Sequence, residues 1–328
     1  MFQTILLKQD QLIYQVFQYL QIENPCSLDK LCQKLQKAPA ALKRYLQNWQ
    51  KEPLNRATGV GFYLKKNILR GIYAEEHGQL FFSTLLHRSD AFQLLLKVLD
   101  NPYYSTKELR RSMHISAASF QRRVQQLLPL LNHYQLELSF MHTPALKGNL
   151  AQIRWLAWIT SLLADPPHSY QSEALFQRYQ SIQRQRPTKD YIVRPTPVYY
   201  APPYQLSERG FTFLWQQLTG LEKIWAPATI NDTIFFALHA HTTLDSCVFR
   251  EMQQKFHQIH GLCSFFTGEI VVPYKPLSDE TQRLVQSFRL LLPNYNQLLT
   301  KHPEIPVLYE YLLTDYRRIQ QQLFVAEE

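Results

Sequence analysis

Residues 105–127 read Ser105-Thr106-Lys107-Glu108-Leu109-Arg110-Arg111-Ser112-Met113-His114-Ile115-Ser116-Ala117-Ala118-Ser119-Phe120-Gln121-Arg122-Arg123-Val124-Gln125-Gln126-Leu127. The stretch from Ser27 to Trp49 aligns with it without a gap, at an offset of 78 residues. Apolar residues coincide at Leu31/Leu109, Leu35/Met113, Leu42/Phe120, Leu46/Val124 and Trp49/Leu127, while Arg44 matches Arg122 and Gln47 matches Gln125. In the second copy Ser105 is a strong helix N-cap, and Glu108 three residues later completes a capping box. Leu109 and Met113 share one face of the short helix that follows. His114-Ile115-Ser116 interrupts it, and Ser116 caps another helix. There Phe120, Val124 and Leu127 recur at i, i+4, i+7 and make one buried stripe. Ala118, Ser119, Gln121, Arg122, Gln125 and Gln126 stand on the opposite, polar face.

The first copy follows the same plan. Ser27 is expected to cap, with Leu28, Leu31, Cys32 and Leu35 inward. Pro39 suits the first position of the next helix, where its missing N–H does no harm. Leu42, Tyr45, Leu46 and Trp49 line the core side, and Lys43, Arg44, Gln47, Asn48 and Lys51 face out. Ala38 holds the capping place that Ser116 fills in the other copy. Two short helices joined by a tight turn, the second polar and basic outside, is the helix-turn-helix plan. An amphipathic segment precedes each copy, Gln11–Gln21 and Ala91–Asp100. Wing-like strands are expected after each: a hairpin across Leu54 to Leu64 around Gly59 and Gly61, and a strand alternating over Gln135–Phe140.

The chain has 328 residues, 45% of them apolar, enough for ordinary cores. Its net charge is +9. Residues 1–164 hold 20 Lys/Arg against 10 Asp/Glu, and residues 165–328 hold 15 against 16. The whole excess of positive charge thus lies with the repeat, which points to a polyanionic partner for that half. Only nine glycines are present, few for phosphate-binding loops. No Walker loop, GxSxG or HExxH occurs, so no enzyme constellation is nominated. Cys26, Cys32, Cys247 and Cys263 form no CxxC pair or zinc-finger spacing and read as buried free thiols. No signal peptide or membrane span is recognised; the longest apolar run, Trp155 to Ala164, is too short. A cytoplasmic protein is expected.

Directly after the second copy come Leu146-Lys147-Gly148-Asn149-Leu150-Ala151-Gln152-Ile153-Arg154 and the apolar Trp155–Leu163. The tandem motifs followed by this segment resemble the Mga-like family of transcriptional regulators of Gram-positive bacteria. That family often places a Gly, an acidic residue and then Ile-Arg at the entry to a helical regulatory domain. Gly148, Ile153 and Arg154 are kept and the acidic residue is not. The resemblance is best over residues 10–165. It implies that the C-terminal half is similar to phosphotransferase-regulation domains, helical bundles whose histidines are phosphorylated by sugar-transport components. The enzyme IIB-like domain of longer members is expected to be missing.

On its own terms the C-terminal half is mostly helical, with periodicity over Leu206–Leu221, Thr233–Thr243, Cys247–Ile259, Ser278–Leu292 and Pro306–Phe324, and with Gly261 and Pro273 as breaks. Residues 186–206 are a Pro- and Tyr-rich connector. His239 and His241 are the candidates for regulatory phosphorylation, although side chains two apart on a helix diverge, which makes a shared metal awkward. His257, His260 and His168 read as core, groove or loop residues. Paired carboxylates at Glu75-Glu76 and Asp279-Glu280 read as solvated faces or helix starts.

The expectation is therefore a mainly α protein: a winged helix-turn-helix domain over 1–70, a second over 71–145, and an all-α regulatory and dimerisation region over 146–328. Its function would be sequence-specific binding of double-stranded DNA in transcription regulation, as a homodimer, without catalysis, cofactor, metal or membrane. Arg122 is the first candidate for a guanine contact. Lys107, Arg110, Arg111 and Arg123 would meet phosphate, beside Ala118, Ser119, Gln121 and Gln126. In the first domain Arg44, Gln47 and Asn48 would approach bases, with Lys43 and Lys51 near the backbone. Two other readings stand beside this one. One is a plasmid replication initiator with tandem winged helices. The other is an interaction protein whose helical half senses a peptide, a small molecule or a phosphotransferase-system regulator, with Tyr191–Tyr204 lining the pocket.

Overall fold

A computed structural model describes residues 1–74, 77–141, 145–164, 208–219, 228–241, 246–270, 272 and 275–327. Glu75-Glu76, His168, the connector 186–206 with Tyr191–Tyr204, and Pro273 lie outside these residues. The chain is mainly helical and forms two compact units, Met1–Lys147 with Leu163–Pro166, and Gly148–Leu162 with Pro167–Glu328.

The first unit opens with a 3₁₀ turn, Phe2–Ile5, and α1, Lys8–Ile22. Then come β1 (Cys26–Ser27), α2 (Leu28–Leu35), α3 (Pro39–Lys51) and α4 (Pro53–Thr58). The hairpin β2 (Gly61–Lys65) and β3 (Ile68–Ile72) follows. The sheet order is β1-β3-β2, antiparallel throughout, with Cys26 opposite Leu69 and Phe62 opposite Gly71. Pro39 begins α3 as expected, and Ala38 makes no side-chain cap. Ser27 corrects the expectation at α2, because its hydroxyl caps nothing. It lies in β1 opposite Ile68, and Leu28 N–H donates to Asn67 O at 2.9 Å, so the sheet rather than a hydroxyl fixes that helix start.

The hairpin is also displaced from its expected place. Residues from Pro53 to Thr58 are helical, with Pro53 in the first turn, and the strands begin only at Gly61. Gly59 ends α4 at φ 67°, and a Cβ there would lie 2.5 Å from His77 Nδ1. Only glycine fits that exit without strain.

The second half of the unit contains α5 (His77–His87), α6 (Asp90–Asp100), α7 (Thr106–Ser112) and α8 (Ala117–His133), then β4 (Glu137–Leu138) paired with β5 (Leu146–Lys147). The Ser105–Glu108 capping box is present, and Ser116 Oγ accepts from Ser119 N–H at 3.2 Å. The strand expected over Gln135–Phe140 shrinks to two residues; Phe140 instead turns its ring onto Phe120, centroids 5.2 Å apart. Gln36 (φ 52°) and His114 (φ 54°) occupy equivalent turn positions of the two copies, both in the left-handed region.

Helix α5 has no counterpart in the sequence reading, and it joins the copies. Phe81 is fully buried, 5.0 Å from Phe17, 5.4 Å from Trp49 and 6.3 Å from Tyr14 between ring centroids. Phe82 stacks on Tyr14 at 4.4 Å. Thus α5 completes the core of the first motif while packing on α6 of the second.

The second unit comprises α9 (Leu150–Ala164), α10 (Glu208–Thr219), α11 (Ala228–His241), α12 (Ser246–Phe265), α13 (Asp279–Leu291), α14 (Tyr295–Lys301) and α15 (Ile305–Glu327). Trp155 stacks on Phe266 at 4.7 Å, and Trp215 meets Phe265 edge-on at 5.1 Å. Gly261 does not break α12. Buried His260, Leu262 and Cys263 beside it secure the helix, outweighing a glycine penalty of about 1 kcal/mol. Tyr295 O–H donates to Tyr309 Oη at 3.3 Å, and Tyr309 lies 2.6 Å from His260 Nε2. Burial, with His257 nearby, pushes His260 down to about 3 and keeps its ring neutral. Ser278 caps α13 and, with Thr281, donates to the Glu310 carboxylate. Burial alone would raise Glu310, but these bonds outweigh it and hold the carboxyl below its usual range.

Candidate nucleic-acid interface

Leu42, Leu46 and Trp49 seat α3 by its buried stripe, and Trp49 Nε1–H donates to Val60 O at 3.3 Å. Gln50 Nε2 donates to Phe62 O at 2.6 Å, which ties the hairpin to the same helix. Lys43, Arg44, Gln47, Asn48 and Lys51 are all exposed on the other side. The pattern read from the sequence is thus the pattern of exposure in the fold.

Helix α8 is seated by Phe120, Val124, Leu127, Leu130 and Leu131. Ala118, Gln121 and Arg122 are exposed, and Ser119 is half-exposed. The Arg122 guanidinium lies along its own helix, with Nη2 donating to Ser119 Oγ at 3.2 Å and Nε to Ala118 O at 3.4 Å. Both acceptors are uncharged, so among the described residues the cation is oriented without being neutralised. Arg123 and Gln126 are placed differently. Arg123 donates to Asp90 Oδ2 through Nη2 at 2.9 Å and Nε at 3.2 Å. Gln126 is half-buried and donates to Thr4 O at 3.5 Å. These two serve the packing of α8, and the outward surface belongs to Arg122.

Helix α7 adds cations beside α8. Lys107, Arg110, Arg111 and His114 line an open depression with Thr106 and Ile115. Glu108, the one carboxylate in α7, accepts from Ser105 N–H at 2.8 Å and Ser105 Oγ at 2.7 Å, bonds that hold it below the usual carboxylate range.

The hairpin adds three exposed cations that the helix-turn-helix pattern does not point to, Lys65, Lys66 and Arg70. Arg70 stands opposite Tyr63, and Lys65 opposite Ile68, on the solvent face of the sheet. The available signal was alternation on both sides of Lys66-Asn67, a two-residue tip whose Lys66 has φ 54°. Asn67 Nδ2 donates to Asp29 Oδ2 at 2.6 Å, anchoring that tip to α2.

In the second unit His239 is exposed on α11, its ring 5.6 Å from Phe249. His241 is half-buried, with Nε2 2.6 Å from Ser287 Oγ. Among the described residues, no cluster of His, Cys, Asp and Glu has the makings of a metal site, and no helix is long and apolar enough to cross a membrane.

Residues 75–157 match the family model of the Mga helix-turn-helix domain. The match runs from α5 through α8 and the β4–β5 pair into α9, so this part of the chain is similar to the Mga helix-turn-helix domain, in line with the resemblance to that family. The first motif lies ahead of the matched residues. No curated protein matches the chain at a significant level.

Proposed function

We propose, from a chain whose residues 75–157 match the Mga helix-turn-helix domain, that the protein is a sequence-specific DNA-binding transcriptional regulator. The observation that supports this most is α8: its apolar face is committed to the core, and its outer face presents Arg122 unneutralised within the Mga-type segment. Arg122 contacts a guanine edge, with Gln121, Ser119 and Ala118 beside it in the major groove. Lys107, Arg110 and Arg111 hold phosphate and set register. In the first motif Arg44, Gln47 and Asn48 approach bases, flanked by Lys43 and Lys51, while Lys65, Lys66 and Arg70 grip the backbone from the hairpin. The domains are then 1–70 and 71–145 for the two winged readers and 146–328 for dimerisation and response to a small molecule, peptide or phosphotransferase component. His239, the more exposed of the two candidate histidines, is the one open to phosphorylation.

Fluorescence anisotropy tests this with duplex from the gene's own upstream region and a scrambled duplex, across a salt series. The expected result is tighter binding to the upstream duplex, falling steeply with salt as counterions are released. Equal binding to both duplexes, or none at low salt, overturns it.

A further inference from the structure

Helices α3 and α8 are held by one body. Helix α3 is anchored through Trp49, which meets Phe81 of α5 edge-on at 5.4 Å. From the junction between α5 and α6, Arg88 reaches back to Asp10 of α1 at 3.4 Å and to Glu52, just past α3, at 3.9 Å. Asp10 and Arg88 are largely withdrawn from water, with side chains 3% and 24% exposed, so the pair is a tether rather than a loose surface contact. Helix α8 is gripped from the opposite end of the sequence. Phe2 meets Tyr134 at its C-terminus, Gln126 donates to Thr4 O, and Arg123 is bonded to Asp90 at the start of α6. Ser89, which caps α6, also donates its hydroxyl proton to Ile5 O. Residues 1–10 and 77–90 therefore interlock the motifs at several independent points.

We infer that the first unit reads a bipartite duplex site whose two blocks stand at one fixed spacing and helical phase. This rests on the DNA-binding reading above and narrows it to a class of site. Two readers on a flexible tether tolerate changes of spacing, whereas two readers in one packed core do not. The blocks differ in sequence, because α3 presents Arg44, Gln47 and Asn48 where α8 presents Ala118, Gln121 and Arg122. A site built by dimer symmetry alone would instead repeat one block.

The test is selection of binders by the full chain from a pool of random duplexes, followed by anisotropy on selected sites carrying insertions between the blocks. Two dissimilar blocks at constant separation are expected, and the pair recurs as a whole where two protomers bind together. Inserting about five base pairs, half a helical turn, moves the second block to the far side of the duplex. Affinity then falls by the ~10²–10⁴-fold that a second linked contact contributes. Inserting about ten base pairs restores the face but moves the block ~34 Å along the axis, and the loss is expected to persist. Arg44→Ala and Arg122→Ala each erode a different block. One block only, blocks at variable separation, or indifference to either insertion overturns the fixed-spacing inference and leaves DNA binding standing. No enrichment of any sequence overturns the DNA-binding reading, and this inference with it.

Discussion

Phe81→Ala is the sharpest perturbation of the first unit. The side chain is fully buried, with three aromatic rings, Tyr14, Phe17 and Trp49, within 6.3 Å of its own. Removing a buried phenyl costs about 3–5 kcal/mol in transfer and cavity terms. Each decade in an equilibrium constant is 1.36 kcal/mol, so opening of the unit becomes favoured by roughly 10²–10⁴-fold. Phe81→Leu keeps most of the volume and loses mainly the ring pairs, about 1–3 kcal/mol. If α5 joins the motifs into one cooperative body, the cost is felt on both sides of it. Amide hydrogen exchange resolved by residue reads this directly. The amides of Leu42–Trp49 in α3 and of Val124–Leu131 in α8 are expected to exchange faster by similar factors, less in the leucine variant. Acceleration confined to α3, with α8 unchanged, refutes the reasoning and makes the motifs separate folding units.

The other predictions concern single side chains. Ser105→Ala removes a capping hydroxyl and half of a capping box, and is expected to lower stability by ~1 kcal/mol in urea melts; Ser27→Ala, at the matching place but with no cap to lose, is expected to be near neutral. Arg122→Ala is expected to cost ~1–3 kcal/mol of discrimination in duplex-binding titrations, whereas Arg123→Ala, which breaks the pair with Asp90, leaves base preference unchanged; the reverse ranking would refute the assignment of faces. Burial pushes Asp10 up from 3.8 to about 6, against the pull of Arg88 and with a small push from Glu52. The folded chain then binds this proton more tightly than the unfolded chain, so stability from this group falls as pH rises from about 4 to 6 and is level above. Denaturant melts across that range are expected to lose this slope in Asp10→Asn; an unchanged slope would assign it elsewhere. Gly59→Ala forces a Cβ onto His77 in the left-handed region and is expected to cost about 1–3 kcal/mol, measured as a fall in melting temperature.

The second motif was legible because its signals are local. A capping serine, its glutamate and a 3.6-residue stripe are all written within 23 residues, and each appears in the fold where the pattern placed it. The hairpin was misplaced because pairing is not local: Asn67 and Phe62 find their partners on α2 and α3, and residues from Pro53 to Thr58 follow their own helical preference. Helix α5 carries its own apolar stripe, Gly78, Phe81, Phe82, Leu85 and Leu86, but it lies between the two repeat copies and matches neither, so the repeat gives no place to it. Arg122 and Arg123 are neighbours of identical type. Helical spacing sets them on different faces, but it does not reveal the partner that holds Arg123, an aspartate 33 residues upstream. Likewise His239 and His241 diverge as helical geometry requires, but nothing in the sequence names Ser287 as the partner of one of them.

The left-handed turn residues Gln36 and His114 carry a further meaning. A side-chain-bearing residue in that region costs on the order of 1 kcal/mol or more, and glycine would avoid it, yet neither copy uses glycine. The two residues share neither charge nor shape. What recurs along the chain is the corner itself, the angle at which one helix hands over to the next. If the two motifs descend from a single ancestral segment, it was the bend that was inherited, while the side chain standing on it was left to drift.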